Sequence, residues 1–173
     1  MCEIIVYLSG PMSGTKEEST GWRNEIKEYL RVRKDKEISN RVDVMRVAKM
    51  GNPNYAFSPY YLTEGIVDFN VLDPCNRWFD DKKFLAENSS WVVKIDKMEI
   101  AKANVLIVNA NENAWGTPME QIKAWDTGKF VIAFCDKEFP SIWAKEHCHV
   151  MVKDHLEAAE WLYNHAIDIW RTL

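Results

Sequence analysis

The chain has 173 residues, and a hydrophobic content of 47% with 28% charged residues is ordinary for one globular domain. The net charge of −4 gives no reason to expect a nucleic acid as partner, and no apolar run approaches the roughly 18 residues of a membrane span or has the pattern of a signal peptide. Four cysteines without paired spacing are typical of a reduced protein, so we expect a cytoplasmic location.

The first predicted element is a buried strand over residues 4–9, followed by a loop of small residues. Ile4-Ile-Val-Tyr-Leu8 is continuously apolar, as in strands that are covered on both faces of a parallel sheet. Ser9-Gly-Pro-Met-Ser-Gly14 ends the strand, and such small residues let a ligand approach the backbone. The loop lacks the sequence of a phosphate loop, and an ordinary β-to-α connection is an equally open interpretation.

A helix is predicted over residues 17–32, because apolar residues recur there at helical spacing. Residues 33–66 are predicted to form an irregular elaboration of the domain. Within it, the alternation over residues 42–47 is compatible with a strand, and Asn52-Pro-Asn54 breaks any regular element. The frequent Lys and Arg residues near its start indicate a solvated helix end more than a phosphate site.

Apolar runs and capping patterns define the second half of the chain. The remaining strands are predicted over residues 66–72, 104–109, 130–135 and 149–152. Ser89 or Ser90 is expected to cap a helix that carries Asp96, whose plainest interpretation is a solvated charge on an amphipathic helix. Asp154-His-Leu-Glu157 has the pattern of a capping box and is predicted to open the last helix.

The most informative stretch follows the third strand. Asn109 ends that strand, the chain turns at Gly116, and Thr117, Pro118 and Glu120 fit the N-cap, first and third positions of a helix. Glu120 therefore has two interpretations. In a capping box its carboxylate only reaches back to the backbone amide of the N-cap residue. As a nucleophile, it is kept ionised by the helix N-terminus and attacks an anomeric carbon.

Strands alternate with helices along the whole chain, which predicts one doubly wound α/β domain over residues 1–173. We expect a flavodoxin-like sheet of five parallel strands in the order 2-1-3-4-5, flanked by helices. The loops after strands one and three then meet where the strand order reverses, and ligands bind at such points. This convergence favours a role for Glu120 in a binding site.

Three motifs, in order along the chain, resemble the nucleoside 2-deoxyribosyltransferase superfamily. They are Tyr7-Leu-Ser-Gly-Pro-Met12, Asp96-Lys-Met-Glu-Ile100 with the strand that follows it, and Gly116-Thr-Pro-Met-Glu120 with Gly128-Lys-Phe-Val-Ile132. The resemblance implies exchange of the base on 2-deoxyribose through a covalent glycosyl-enzyme, with Glu120 as nucleophile and Asp96 as the acidic residue beside it. The implied ligands are a small deoxynucleoside or deoxynucleotide and a free base, without a cofactor.

The expected substrate-binding residues come from the loops after strands one and three and from a neighbouring chain. They are Tyr7, Ser9, Gly10, Pro11, Met12, Asn109, Trp115, Gly116, Thr117 and His149. Tyr7 and Trp115 are suited to stacking on a base, with a core or interface role as the alternative for Trp115. The resemblance implies a homodimer or larger assembly, in which His147 or His149 completes a neighbour's site. His147-Cys148-His149 lacks the spacing of a zinc site, so we expect no metal.

The residue six positions before the nucleophile leaves the substrate open. Superfamily members that act on nucleosides often carry Asp there, and relatives that hydrolyse deoxynucleoside monophosphates carry Ser, whereas this chain has Ala114. One alternative is therefore a deoxynucleoside monophosphate N-glycosidase, with Ser9, Ser13 or Thr15 at the phosphate. The other alternative is a non-catalytic nucleotide-binding protein in which Glu120 is only a cap.

Overall fold

A parallel five-stranded sheet forms the centre of the molecule. The computed structural model describes residues 2–12, 16–51, 64–78, 82–112 and 114–172. The strands are β1 (Cys2–Ser9), β2 (Val67–Leu72), β3 (Val105–Asn109), β4 (Phe130–Phe134) and β5 (Val150–Val152). They pair in parallel in the order β2-β1-β3-β4-β5, which confirms the predicted fold class and strand order.

Seven helices connect and flank the strands within the described part of the chain. They are α1 (Lys16–Gly51), α2 (Cys75–Trp78), α3 (Lys82–Glu87), α4 (Ser89–Lys102), α5 (Gly116–Asp126), α6 (Ile142–Glu146) and α7 (His155–Thr172). None of the helices in these ranges combines the length and apolarity needed to cross a membrane.

The period of two along β1 divides its side chains between the two faces of the sheet. Ile4, Val6 and Leu8 face a core that is completed by residues of α1 and α7. Tyr7 faces the other core, to which α4 and α5 contribute. Since side chains two apart share a face, Ser9 points to the same side as Tyr7. The α4–α5 face therefore receives two hydroxyl groups from one strand.

Helix α1 is longer than the sequence predicts, because it continues through residues 33–51 where an irregular elaboration is expected. The strand considered over residues 42–47 is wrong. Neither Gly nor Pro occurs between Trp22 and Met50, and valines lower helix propensity by only a few tenths of a kcal/mol. Ion pairs such as Glu37 with Arg41, at 2.6 Å, support the extension. Residues 52–63, including the predicted breakers, lie outside the described ranges.

The helix starts differ from the capping patterns in two of three cases. Helix α4 begins at Ser89 after Asn88, and α5 begins at Gly116 after Trp115, in both cases without a side-chain cap. The start of α7 and its cap by Asp154 are confirmed, whereas the carboxylate of Glu157 accepts the backbone N–H of Lys153 at 2.9 Å and not that of Asp154 as in a capping box. Oδ1 of Asp154 accepts hydrogen bonds from the backbone N–H groups of the second and third residues of the helix, both at 2.9 Å.

Candidate active site

A small cavity lies at the carboxyl ends of β1 and β3, where the reversal of strand order leaves a crevice. Its volume is about 150 Å³. It is lined by Gly10, Pro11, Met12, Pro74, Asp96, Ala114, Gly116, Thr117 and Glu120. Two carboxylates, from α4 and α5, therefore line one cavity together with the loop after β1.

The carboxylate of Glu120 is held by the two hydroxyl groups of β1. Ser9 Oγ donates a hydrogen bond to Oε2 at 2.6 Å, and Tyr7 Oη donates a longer one to Oε1 at 3.3 Å. Both donors are completely buried, so their positions are fixed by the core. Each carboxylate oxygen thus has one donor and keeps further acceptor capacity toward the cavity.

This arrangement excludes the capping-box interpretation of Glu120. Because α5 begins at Gly116, Glu120 lies in the second turn of the helix and Thr117 lies inside it. The hydrogen bonds of the carboxylate go to Ser9 and Tyr7, across from α5 on the sheet. The predicted hydrogen bond from the backbone amide of Thr117 to the carboxylate of Glu120 is therefore wrong. The side chain of Glu120 does not cap its own helix.

The electrostatics of Glu120 also differ from the prediction. Burial raises the pKa of its carboxyl group from 4.5 to about 7, and the nearby charge of Asp96 acts in the same direction. The hydrogen bonds from Ser9 and Tyr7 and the charge of Arg23 only partly oppose this rise in pKa. A carboxylate kept ionised by a helix N-terminus was expected, but desolvation outweighs that effect in the second turn, since the helix field decays within the first.

Burial likewise raises the pKa of the Tyr7 phenol, and the charges of Glu120 and Asp96 add to the effect. Tyr7 therefore stays protonated and remains a donor to Glu120. Near neutral pH the carboxyl group of Glu120 exists in both forms, since its pKa is about 7. The ionised form is a desolvated carboxylate, and such a group stabilises a developing positive charge more strongly than it would in water.

No family model matches the sequence, and no curated protein matches it. The structure is similar to that of a 2-deoxyribosyltransferase from the psychrotolerant bacterium Bacillus psychrosaccharolyticus, with a TM-score of 0.51 and 18% identity over 90% of each chain. The chain shares the fold of that enzyme. The likeness supports, at the level of the fold, the resemblance that the three motifs indicate.

Most residues predicted for the deoxyribosyltransferase-like site meet at the cavity. Gly10, Pro11, Met12, Gly116 and Thr117 line it together with the two carboxylates. Their positions follow from the topology, because the loops after β1 and β3 leave adjacent strands at the same edge. Tyr7 joins them only through its hydroxyl group, since its ring is completely buried and is not available to stack on a base.

Asn109 and Trp115 lie beside the cavity without lining it. Asn109 is buried, and its Oδ1 accepts a hydrogen bond from the backbone N–H of Asn111 at 3.1 Å. Trp115 is 94% exposed and lies on a neighbouring apolar surface with Pro118 and Met119. Within one chain, Asn109 supports the loop and Trp115 faces outward.

His149 lies at the opposite edge of the sheet from Glu120, just before the amino end of β5. Nδ1 of His149 accepts a hydrogen bond from the backbone N–H of Val131 at 3.0 Å. The imidazole ring stacks on the ring of Phe130, and the two ring centroids are 4.5 Å apart. His149 therefore cannot reach the cavity of its own chain. A role of His149 at the site of a neighbouring chain, as the resemblance implies, stays a prediction.

A buried ion pair behind the cavity was not predicted. Arg23 of α1 and Asp73, which follows β2, are both completely buried, with Nε 3.3 Å from Oδ1. The available signals were an arginine next to Trp22 on the apolar side of a helix, and an Asp-Pro pair directly after a strand. Neither signal distinguishes a buried pair from two solvated charges, because the contact joins residues 50 positions apart (73 minus 23).

Proposed function

We propose that the protein transfers a 2-deoxyribosyl group from a deoxynucleoside to a second base through an ester on Glu120. The observation that carries the proposal is the position of this carboxylate. It is half-buried, held by hydrogen bonds from the buried Ser9 and Tyr7, and open to a cavity that Asp96 also lines. The shared fold with a 2-deoxyribosyltransferase supports the same chemistry.

In the first step, a carboxylate oxygen of Glu120 attacks C1′ while the N-glycosidic bond breaks through an oxocarbenium-like state. The bonding electrons leave with the base nitrogen, which receives a proton from the carboxyl group of Asp96 or from a water beside it. The products are a free base and a deoxyribosyl ester. Ser9 and Tyr7 keep the attacking carboxylate in place, and positioning of this kind provides much of the rate gain in such reactions.

In the second step, a nitrogen of an incoming base attacks C1′ and displaces the carboxylate of Glu120. The proton of that nitrogen passes to Asp96, which restores the starting state. Attack by water in place of the base gives hydrolysis with the same intermediate. The difference between transfer and hydrolysis is therefore decided by which second nucleophile the site orders.

The charge of the cavity supports a nucleoside over a nucleotide as substrate. In the part of the lining that the structure describes, Asp96 and Glu120 are the charged residues, and no Lys or Arg accompanies them. Arg23 lies behind the loop with its guanidinium group engaged by Gly10 and Asp73. A 5′-phosphate finds no cation to pair with in this acidic lining and is repelled by the ionised carboxylate of Glu120, whereas a neutral nucleoside needs no such partner.

The surface next to the cavity supports a homodimer or larger assembly. Trp115 and Met119 are exposed on one side of Pro118, and Trp143 is exposed on its other side. An apolar surface of this kind is typical of an interface, and a second copy of the chain is the proposed partner. Sedimentation velocity at micromolar concentration tests this, and a fully active monomer contradicts it.

Incubation with a panel of deoxynucleosides and deoxynucleoside monophosphates, with and without a second free base, tests the proposed reaction. Chromatography then separates the released base from the new nucleoside. We expect exchange with deoxynucleosides that depends on the second base. Base release from monophosphates without exchange means an N-glycosidase, and the absence of both reactions means a binding protein.

A further inference from the structure

Arg23 is a buried cation directly behind the loop that lines the cavity. It lies in the second turn of α1, and its side chain is completely buried. Its guanidinium carbon lies 4.3 Å from the ring centroid of Trp22. Burying a cation is costly unless partners offset the loss of water. The partners of Arg23 therefore show which parts of the fold it holds together.

Three elements contact the guanidinium group. Nη2 donates a hydrogen bond to the carbonyl oxygen of Gly10 at 2.9 Å, and Nη1 donates to the carbonyl oxygen of Ser19. Nε lies 3.3 Å from Oδ1 of Asp73, and the other oxygen of Asp73 is 2.5 Å from Nζ of Lys27. Arg23 thus connects the loop after β1, the first turns of α1 and the end of β2.

Two of these contacts adjoin the cavity wall. Gly10 lines the cavity itself, and Pro74 follows Asp73 and lines it too. The carbonyl group of Gly10 belongs to the peptide bond with Pro11, which has no N–H donor of its own. The hydrogen bond from Arg23 therefore fixes the orientation of this peptide, one residue after Ser9 binds Glu120.

The close fit at Gly10 shows how little freedom this loop has. A Cβ atom there would lie 2.7 Å from Cζ2 of Trp22 and 3.0 Å from Cβ of Asn109. It would also lie 3.3 Å from Nη2 of Arg23. The loop is therefore pressed against α1 and β3, and the hydrogen bond to Arg23 depends on this approach.

We propose that Arg23 is a positioning residue for the reaction at Glu120. Through the Gly10 carbonyl and Asp73, it fixes the loop between Ser9, the last residue of β1, and Met12. Arg23 does not line the cavity, so it acts on the substrate only through that loop. The inference rests on the proposed function, because it assigns a role in the same reaction.

The charge of Arg23 gives a second, separable effect. The groups that act electrostatically on Glu120 or respond to its charge are Ser9 and Tyr7 of β1, Asp96 of α4, Arg23 of α1 and Cys75 of α2. Burial and the charge of Asp96 raise the pKa of Glu120, whereas the hydrogen bonds from Ser9 and Tyr7 and the charge of Arg23 lower it. Arg23→Lys keeps the positive charge but removes the planar guanidinium group with its fixed set of hydrogen-bond donors. Arg23→Met removes both the charge and the donors. The two substitutions therefore separate the position of the loop from the ionisation of Glu120.

Kinetics of Arg23→Lys and Arg23→Met as functions of pH, together with thermal unfolding, test the proposal. Leu30→Ala is the control, because Leu30 is buried on the same helix and does not line the cavity. We expect kcat of both Arg23 variants to fall about 10- to 100-fold, as for small misplacements of catalytic groups, with a smaller change in KM. Only Arg23→Met moves the acidic limb of kcat/KM to higher pH. Leu30→Ala should lower Tm but leave kcat and the acidic limb of the pH profile of kcat/KM unchanged.

Wild-type kcat in Arg23→Lys, or an equal fall of kcat in Leu30→Ala, overturns the proposal. If neither Arg23 variant folds, Asp73→Asn decides, since it keeps the shape of the partner and removes its charge. A several-fold lower kcat supports the positioning role, and wild-type kcat in folded Asp73→Asn contradicts it. Glu120→Gln is measured in parallel, because activity in that variant rejects the proposed function itself.

Discussion

Replacement of Glu120 by Gln tests the electrostatics of the site in the absence of substrate. Burial raises the pKa of this carboxyl group from 4.5 to about 7. At about 1.36 kcal/mol for each pKa unit, ionisation of Glu120 in the folded protein costs roughly 3 kcal/mol relative to the unfolded chain. Gln has a similar shape and carries no charge, so the variant does not bear this cost.

The sign of the pH dependence follows from linkage. The folded protein binds the proton of Glu120 more tightly than the unfolded chain does, because its pKa in the folded state is raised. The stabilising effect of that proton is complete below pH 4.5 and is lost as the pH rises to about 7. Between pH 5 and pH 8, wild-type protein should therefore lose about 2–3 kcal/mol of stability relative to Glu120→Gln.

Thermal unfolding at pH 5 and pH 8 measures this difference. For a chain of this size, roughly 2–4 °C in Tm corresponds to 1 kcal/mol, so the Tm difference should move by about 5–10 °C in favour of Glu120→Gln. Glu112→Gln, an exposed carboxylate of the loop after β3, is the matched control and should show no such change. A Tm difference that does not depend on pH would refute the raised pKa of Glu120.

Three further substitutions test the surroundings of Glu120 and the fold. Ser9→Ala removes a bond that lowers the pKa of Glu120, so the acidic limb of kcat/KM should move to higher pH; an unmoved limb contradicts this. Gly10→Ala places a Cβ 2.7 Å from Trp22 and should destabilise by about 1–3 kcal/mol with loss of turnover, measured by urea unfolding and kinetics. Asp154→Ala removes the cap of α7 and should cost about 0.5–2 kcal/mol with unchanged turnover; an unaltered Tm contradicts the cap.

The sheet could be predicted from sequence because its strands are continuous apolar runs between polar loops. Runs such as residues 105–108 are buried on both faces of the sheet. Strands in the interior of a parallel sheet have this continuous apolar sequence, because helices cover both of its faces. The length of α1 could not be predicted in the same way. Its second half is mostly exposed, so its sequence carries ion pairs and valines in place of an apolar stripe. Local charge pairs favour a helix too weakly to be distinguished from a surface loop.

The candidate site was predictable to the extent that it depends on strand ends. Glu120, Asp96 and the loop after β1 meet because the strand order brings their elements to one edge. The role of Ser9 and Tyr7 as donors to Glu120 depends on the packing of α5 over β1, which no local pattern encodes. The same holds for the raised pKa of Glu120, since burial is a property of the folded chain.

The covalent intermediate on Glu120 is the central claim, and mass spectrometry tests it most directly. The protein is incubated with a deoxynucleoside analogue whose glycosyl ester turns over slowly, and its mass is measured before and after digestion. We predict a single sugar adduct on the peptide that contains Glu120, and its absence in Glu120→Gln. A sugar adduct at another residue, or turnover of deoxynucleosides by Glu120→Gln, contradicts the account.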